Sequence, residues 1–256
     1  MNKFNFKTIS MFAALAVTGA LVIASSIDKT QAAEEITEGQ KAEIKKMIED
    51  YLMENPQVIM KSVEEYQKLQ EKGMEAAASA KVVEHQDFLV SKDAPSAGNP
   101  DGDVTVVEFF DYNCGYCKRA LSDIQELIGQ DPGVRFVFHE LPVLGPSSAL
   151  AAQWALAAHK QGKYFEYHAA LMTHNGNKDE AELTGIGTQL GLDTEKLKQD
   201  ANSPEIQAML QKGIEVSRDL GIQGTPGFVI GDRIVRGYIG PEGLKGAIAE
   251  EREKAQ

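Results

Sequence analysis

The sequence predicts an α/β domain carrying an inserted block of helices and preceded by an all-helical arm. Three observations predict it. Short apolar runs rich in Val, Ile and Phe recur at Val104–Phe110, Val134–Phe138, Phe228–Ile230 and Ile234–Arg236, with Gly, Pro or Asp close at hand to break them. Between the second and third runs, the stretch from Ser147 to about Leu220 reads as helix. Ahead of the first run, Glu38 to about Val90 holds no strong strand signal and two apolar stripes at helical spacing. The order is helices, β-α-β, helices, β-β-α, with no internal repeat.

Composition bounds the function classes. The 256 residues are 43% hydrophobic and 25% charged, an ordinary globular balance that excludes collagen, low-complexity disorder and a polytopic membrane protein. Lys and Arg number 26 against 38 Asp and Glu, a net charge of −12, which argues against nucleic acid as a partner. Two cysteines are too few for a disulfide scaffold.

The first residues stand apart from the fold. Lys3 and Lys7 precede an uncharged stretch from Thr8 to Ile27, and Thr30-Gln31-Ala32 offers small residues at a cleavage-like end. Residues 1–32 read as a secretory signal peptide, with an uncleaved membrane anchor as the competing reading. Either way the body is expected outside the cytoplasm, periplasmic or secreted, where disulfides are tolerated.

Residues 34–80 make the helical arm. Ile44, Met47, Ile48, Tyr51 and Leu52 form one stripe, Asn55-Pro56 caps and restarts the chain, and Ile59, Val63, Tyr66 and Leu69 form the second. Two such helices cannot make a stable core alone. They either self-associate, giving a homo-oligomer, or fold back on the main domain, and self-association is the expectation carried forward.

The main domain spans residues 81–256, with its helical insertion at about 142–220. Pro95, Gly98, Pro100 and Gly102 make a turn-rich lead into the strand Val104–Phe110. Leu121, Ile124, Leu127 and Ile128 then give helical spacing until Gly129, and Asp131-Pro132-Gly133 turns the chain into the next strand, a βαβ unit with parallel strands. Helical pieces are predicted at Ala149–Ala158, Tyr164–Met172, Glu180–Leu190 and Ser203–Leu220. Two strands flank Gly231-Asp232, and Pro241 opens a last helix.

Both cysteines sit where the first strand becomes the first helix of that unit, in Cys114-Gly115-Tyr116-Cys117. A thiolate attacks a disulfide and a thiol does not, so an exchange cysteine needs its ionised form stabilised. A helix N-terminus does this through unpaired N–H groups and the positive end of the helix dipole. Cys114 is placed to attack and Cys117, three residues on, to resolve. Lys118 and Arg119 either add positive potential or point to solvent. Zinc needs two further ligands, and His85, His139, His159, His168 and His174 show no paired spacing. A structural disulfide here would close too small a loop to remove much chain entropy. No metal and no cofactor are expected.

Two more features fit the chemistry. Gly224-Thr225-Pro226-Gly227 precedes the penultimate strand, where the X-Pro bond is either cis, exposing a strand-like edge, or an ordinary trans turn. Glu108 lies in an otherwise apolar strand six residues before Cys114. Buried, it would relay a proton for Cys117; facing outward, it would be a surface residue.

These residues resemble the DsbA-like thiol–disulfide oxidoreductases of the thioredoxin superfamily, over about Phe88 to Lys254. The resemblance rests on Phe109-Phe110-Asp111-Tyr112-Asn113-Cys114-Gly115-Tyr116-Cys117, the helical insertion and Gly224-Thr225-Pro226. It implies that Cys114 is the nucleophile, that Pro226 is cis and abuts the pair, and that Glu108 is buried beneath it. With them Gly115, Tyr116, Thr225 and Pro226 would contact substrate. Gly-Tyr between the cysteines and Thr before the proline depart from DsbA and are similar to the DsbC-type isomerases. The helical arm resembles, more loosely, that of the oligomeric ScsC proteins. The expected clients are reduced or misoxidised secreted proteins, with a DsbB-like or DsbD-like membrane redox partner. The competing functions are a monomeric dithiol oxidase, a copper-binding redox module using the cysteine pair, and a glutathione-dependent enzyme of related fold.

Overall fold

The computed structural model describes residues 36–254. The predicted signal segment lies outside them. Among the described residues no helix is long and apolar enough to cross a membrane. The chain divides into two units, residues 1–59 and 60–256.

The described part of the first unit holds helix α1 (Glu38–Glu54) and the start of α2 (Pro56–Glu84). Thr37 and Gln40 form a capping box that satisfies the first orphan N–H groups of α1. Pro56 begins α2 directly after Asn55, where a missing N–H costs nothing. No residue of α1 is buried, and the apolar side chains Met47, Ile48, Tyr51 and Ile59 are exposed.

In the second unit, α3 (Gln86–Leu89) and β1 (Ser96–Gly98) precede β2 (Val104–Phe110), α4 (Gly115–Gln130) and β3 (Val134–Glu140). Helices α5 (Pro146–Lys160), α6 (Tyr164–Thr173), α7 (Glu180–Gln189), α8 (Thr194–Ala201) and α9 (Pro204–Asp219) follow as the insertion. Strands β4 (Gly227–Ile230) and β5 (Arg233–Arg236) and helix α10 (Gly240–Lys254) complete the unit. The five strands form one sheet in the order β1-β3-β2-β4-β5.

Strand β2 is central because it is apolar on both faces. It pairs in parallel with β3 and antiparallel with β4. Its alternate residues enter different cores: Val104, Val106 and Phe110 join the apolar side chains of α4, while Val107 and Phe109 join Leu89, Val216 and Leu220. Helix α4 buries Cys117, Ala120, Leu121, Ile124 and Leu127, and each Leu or Ile so buried contributes about 1.5–3 kcal/mol. Strands β4 and β5 turn through Gly231 at φ +59°, which favours glycine. Arg252 of α10 bonds Asp103 at 2.8 Å and Asp131 at 2.7 Å, tying the last helix to the loops before β2 and after α4.

Three elements differ from the sequence expectation. Strand β3 runs two residues further, to Glu140. Strand β1 forms inside the turn-rich lead by pairing antiparallel with β3. Helix α8 occupies a stretch after Gly191-Leu192-Asp193 that carried no predicted element, with Asp193 capping it through Lys196 N–H.

Candidate active site

The end of β2 delivers the chain to the cysteines. Asp111, the first residue past the strand, is buried and accepts from Asn113 N–H at 2.7 Å, Leu144 N–H at 2.9 Å and Ser148 Oγ at 2.7 Å. The first bond is an Asx turn, which bends the chain so that Cys114 becomes the N-cap of α4. Asn113 in turn donates to Ser148 at 2.8 Å and accepts from the buried Lys178 at 3.1 Å. Removing the Asp111 carboxylate leaves three donors without their partner. Asp111→Ala is therefore expected to lower stability by about 3 kcal/mol in urea denaturation. A loss within about 0.5 kcal/mol would show that the turn does not depend on it.

The two sulfurs, both free thiols, occupy different environments. Cys114 is 8% exposed and Cys117 1%. Burial disfavours a thiolate at Cys114, but the Thr225 side chain, the Cys117 N–H and thiol and the Tyr116 N–H more than offset this, and hold it below the ordinary thiol value. As a thiol, Cys114 donates to the Thr225 carbonyl at 3.2 Å. Cys117 goes the other way: burial pushes its thiol far above the ordinary value, and the negative charge of Glu108 adds to this.

Glu108 is 1% exposed, on the sheet face it shares with Phe110, and its Oε1 has no hydrogen-bond partner. Burial first, and the Cys114 charge second, push its carboxyl up to about 8. The Thr225–Pro226 peptide is cis. A Cβ at Gly115 would meet open space, and Tyr116 lies exposed beside Gly115 with its ring 5.9 Å from that of Tyr238. Lys118 donates to the His174 carbonyl at 3.3 Å, and the Arg119 guanidinium lies 5.1 Å over the Tyr116 ring.

A buried polar cluster that sequence reasoning missed adjoins the turn. Tyr112 and Tyr164 each donate to Glu140 Oε1 at 2.9 Å, and Tyr112 meets His168 Nδ1 at 3.2 Å. Burial pushes the Glu140 carboxyl well above its usual range, and pushes His168 down to about 3, so that imidazole is neutral at pH 7. The one available signal was Asp-Tyr-Asn ahead of the first cysteine; the other partners are far off in sequence. A cavity of about 220 Å³ lined by Phe88, Phe138, Glu140, Leu156 and Leu210 touches neither cysteine.

Comparison with known proteins places this geometry in a family. Residues 105–249 match the DSBA-like thioredoxin domain, and residues 40–72 the copper resistance protein ScsC N-terminal domain. A thioredoxin-like oxidoreductase from Silicibacter pomeroyi is 45% identical, with a TM-score of 0.63 over 65% of this chain and 97% of that one. A linker-deletion mutant of Proteus mirabilis ScsC is 28% identical, with a TM-score of 0.65 over 87% of this chain and all of that one, 100%. The Na(+)/H(+) antiporter NhaA 1 of Salinispora arenicola is 29% identical over 153 residues, 59% of this chain and 24% of the antiporter. The chain thus spans about a quarter of that relative's length. With a thioredoxin-like sheet, a Cys-x-x-Cys turn at its central strand and more than half of its length matched, the chain belongs to the DSBA-like thioredoxin domain family.

Proposed function

We propose that the chain is an extracytoplasmic thiol–disulfide oxidoreductase that works as a protein disulfide isomerase through Cys114 and Cys117. The observation that carries the reading is the divergence of two sulfurs three residues apart. Cys114 is held below the ordinary thiol value at a helix N-terminus, and Cys117 is pushed above it by burial. One sulfur therefore ionises more readily than an ordinary thiol and the other is protected as a thiol.

In isomerisation the Cys114 thiolate attacks one sulfur of a wrong client disulfide. The client S–S bond breaks, a mixed disulfide forms and the other client sulfur leaves as a thiolate. A second client thiolate then attacks the mixed disulfide, makes the new client bond and releases Cys114, with no net electron transfer. If the client stalls, Cys117 displaces it instead: its proton passes to Glu108 in the form that has lost its own proton, a minority below about pH 8, the Cys114–Cys117 disulfide forms, and the client departs reduced by two electrons. A DsbD-like membrane partner would return those electrons to the pair; a DsbB-like one would drive the opposite, oxidising cycle. Gly115, Tyr116, Thr225 and Pro226 are assigned to client contact. The clients are reduced or misoxidised secreted proteins.

The isomerase assignment rests further on the arm. Apolar stripes exposed on α1 and α2 support self-association into a homo-oligomer, which would enclose a cleft between active sites. Ile44→Asp with Ile48→Asp is expected to give a monomer by light scattering. That variant should lose recovery of a scrambled disulfide substrate while still oxidising a reduced dithiol. Full recovery by a monomeric variant would refute the link between arm and isomerisation. Rapid oxidation with no recovery by the unsubstituted protein would make it the oxidase instead.

A further inference from the structure

The helical insertion between β3 and β4 reaches back to the nucleophile through one of its loops. Lys178, in the loop between α6 and α7, is the only buried lysine among the described residues, 5% exposed. Its Nζ donates to Asn113 Oδ1 at 3.1 Å, and no carboxylate among the described residues lies within ion-pair distance of it. A lysine is rarely buried without such a partner, because its side chain loses rotamer freedom and its ammonium loses water. Burial, and then the like charge of Lys118, pull the amine below the ordinary lysine value, against the attraction of Asp111.

An ammonium has donors and no acceptor, so it dictates which end of the Asn113 amide faces it. With Oδ1 taken by Lys178, Nδ2 is turned towards Ser147 at 3.0 Å and Ser148 at 2.8 Å. Ser148 Oγ passes the direction on and donates to Asp111 Oδ1 at 2.7 Å. The donors therefore run one way, from a cation of the insertion through an amide and a hydroxyl to the carboxylate just past β2, and each bond polarises the next. Cys114 hangs on both turn residues. Asn113 precedes it directly, and the Asp111 carbonyl accepts its N–H at 3.1 Å. The acidity that Tyr116 and Cys117 N–H lend to Sγ lasts only while this turn keeps the sulfur at the start of α4.

We infer that Lys178 is a positioning residue for exchange: through Asn113 it locks the turn that presents Cys114 Sγ to the first N–H groups of α4, and so supports the attacking thiolate. This rests on the exchange reading above and adds the helical insertion to its machinery. Without the ammonium the amide can turn over, Ser148 loses its fixed donor, and the turn loosens around the sulfur. The ionisable groups around Cys114 and Lys178 are Glu108 and Cys117 beside the nucleophile, Asp111 in the turn and Lys118 on α4. On the insertion side His174 stands 3.8 Å from Glu182. Substitution at position 178 leaves all of these in place.

The test uses the full chain with its pair reduced. Cys114 is alkylated with iodoacetamide over a range of pH and read by peptide mass spectrometry, and each variant is also unfolded in urea. Lys178→Met is expected to raise the midpoint pH of Cys114 alkylation by about half a pH unit. Lys178→Gln stands in should that variant not fold. Its amide carries an acceptor as well as donors and no longer dictates which way Asn113 faces, so the midpoint should rise there too. Asn113→Ala should give a similar rise, and adding Lys178→Met to it should move the midpoint no further. A midpoint within about 0.1 unit of the unsubstituted protein in whichever Lys178 variant folds, whatever its stability, makes the lysine structural only and overturns the inference. Additive shifts in the double variant overturn it as well, since Lys178 would then not act through Asn113. An unsubstituted protein whose Cys114 titrates as an ordinary thiol instead removes the exchange reading itself.

Discussion

Cys114→Ser is expected to lower exchange activity by at least about 10³-fold, because a hydroxyl at that position cannot form the mixed disulfide. Cys117→Ser should behave differently: the first attack still occurs, and the client accumulates as a covalent adduct on Cys114, visible on a non-reducing gel. The pair of outcomes separates attack from resolution, as the environments of the two sulfurs require. Alkylation of Cys114 should proceed with a midpoint pH below that of an ordinary thiol, while Cys117 in the folded protein stays inert. A Cys114→Ser protein that still turns over clients would remove the chemical basis of the proposed function.

Glu108→Gln is expected to make the protein markedly more stable at alkaline pH. Folded, the carboxyl holds its proton up to about pH 8; the ordinary value is 4.5. The folded state therefore binds more protons than the unfolded chain between those limits. The contribution is fully present below about pH 4.5 and is lost as pH rises towards 8. Over that window the loss is on the order of 5 kcal/mol, from the ionised form buried with an oxygen that lacks a hydrogen-bond partner. Urea denaturation at pH 5 and pH 8.5 should show a smaller fall for Glu108→Gln than for the unsubstituted protein. Equal falls would mean that the carboxyl is solvated. The same substitution removes the acceptor for the Cys117 proton, so resolution should slow where attack does not. A residue that destabilises the fold yet sits beside the resolving thiol is the pattern of a functional group held at a thermodynamic cost.

Much of this site was legible because it is local. Strand β2 keeps its predicted ends because an apolar run is bounded by Asp103 and Asp111, and the cysteines fall at a strand-to-helix junction that the 3.6-residue spacing of Leu121, Ile124 and Leu127 already marks. Glu108 stands out as the only charge in that run. What escaped depends on distant partners. Ser96-Ala97-Gly98 has no strand propensity and becomes β1 only because β3 offers an edge. His139 and Glu140 look like the polar end of a strand; burial beside the Leu89 carbonyl and beneath Tyr112 and Tyr164 extends β3 through them. Helix α8 buries only Leu197 and Ala201, too few positions for a period to emerge, although Asp193 was a readable cap. Two of the three bonds to Asp111 were hidden for the same reason, since Leu144 and Ser148 lie 33 and 37 residues away.

The contact between Cys114 and Thr225 joins positions 111 residues apart, with the entire helical insertion between them. During synthesis, therefore, the nucleophile appears long before the segment that completes its surroundings. Until that segment docks, Cys114 lacks the Thr225 contribution to its acidity and keeps what Tyr116 and Cys117 supply at the start of α4. The full acidity of position 114 therefore draws on both ends of the domain, the turn that begins α4 and the segment that leads into β4.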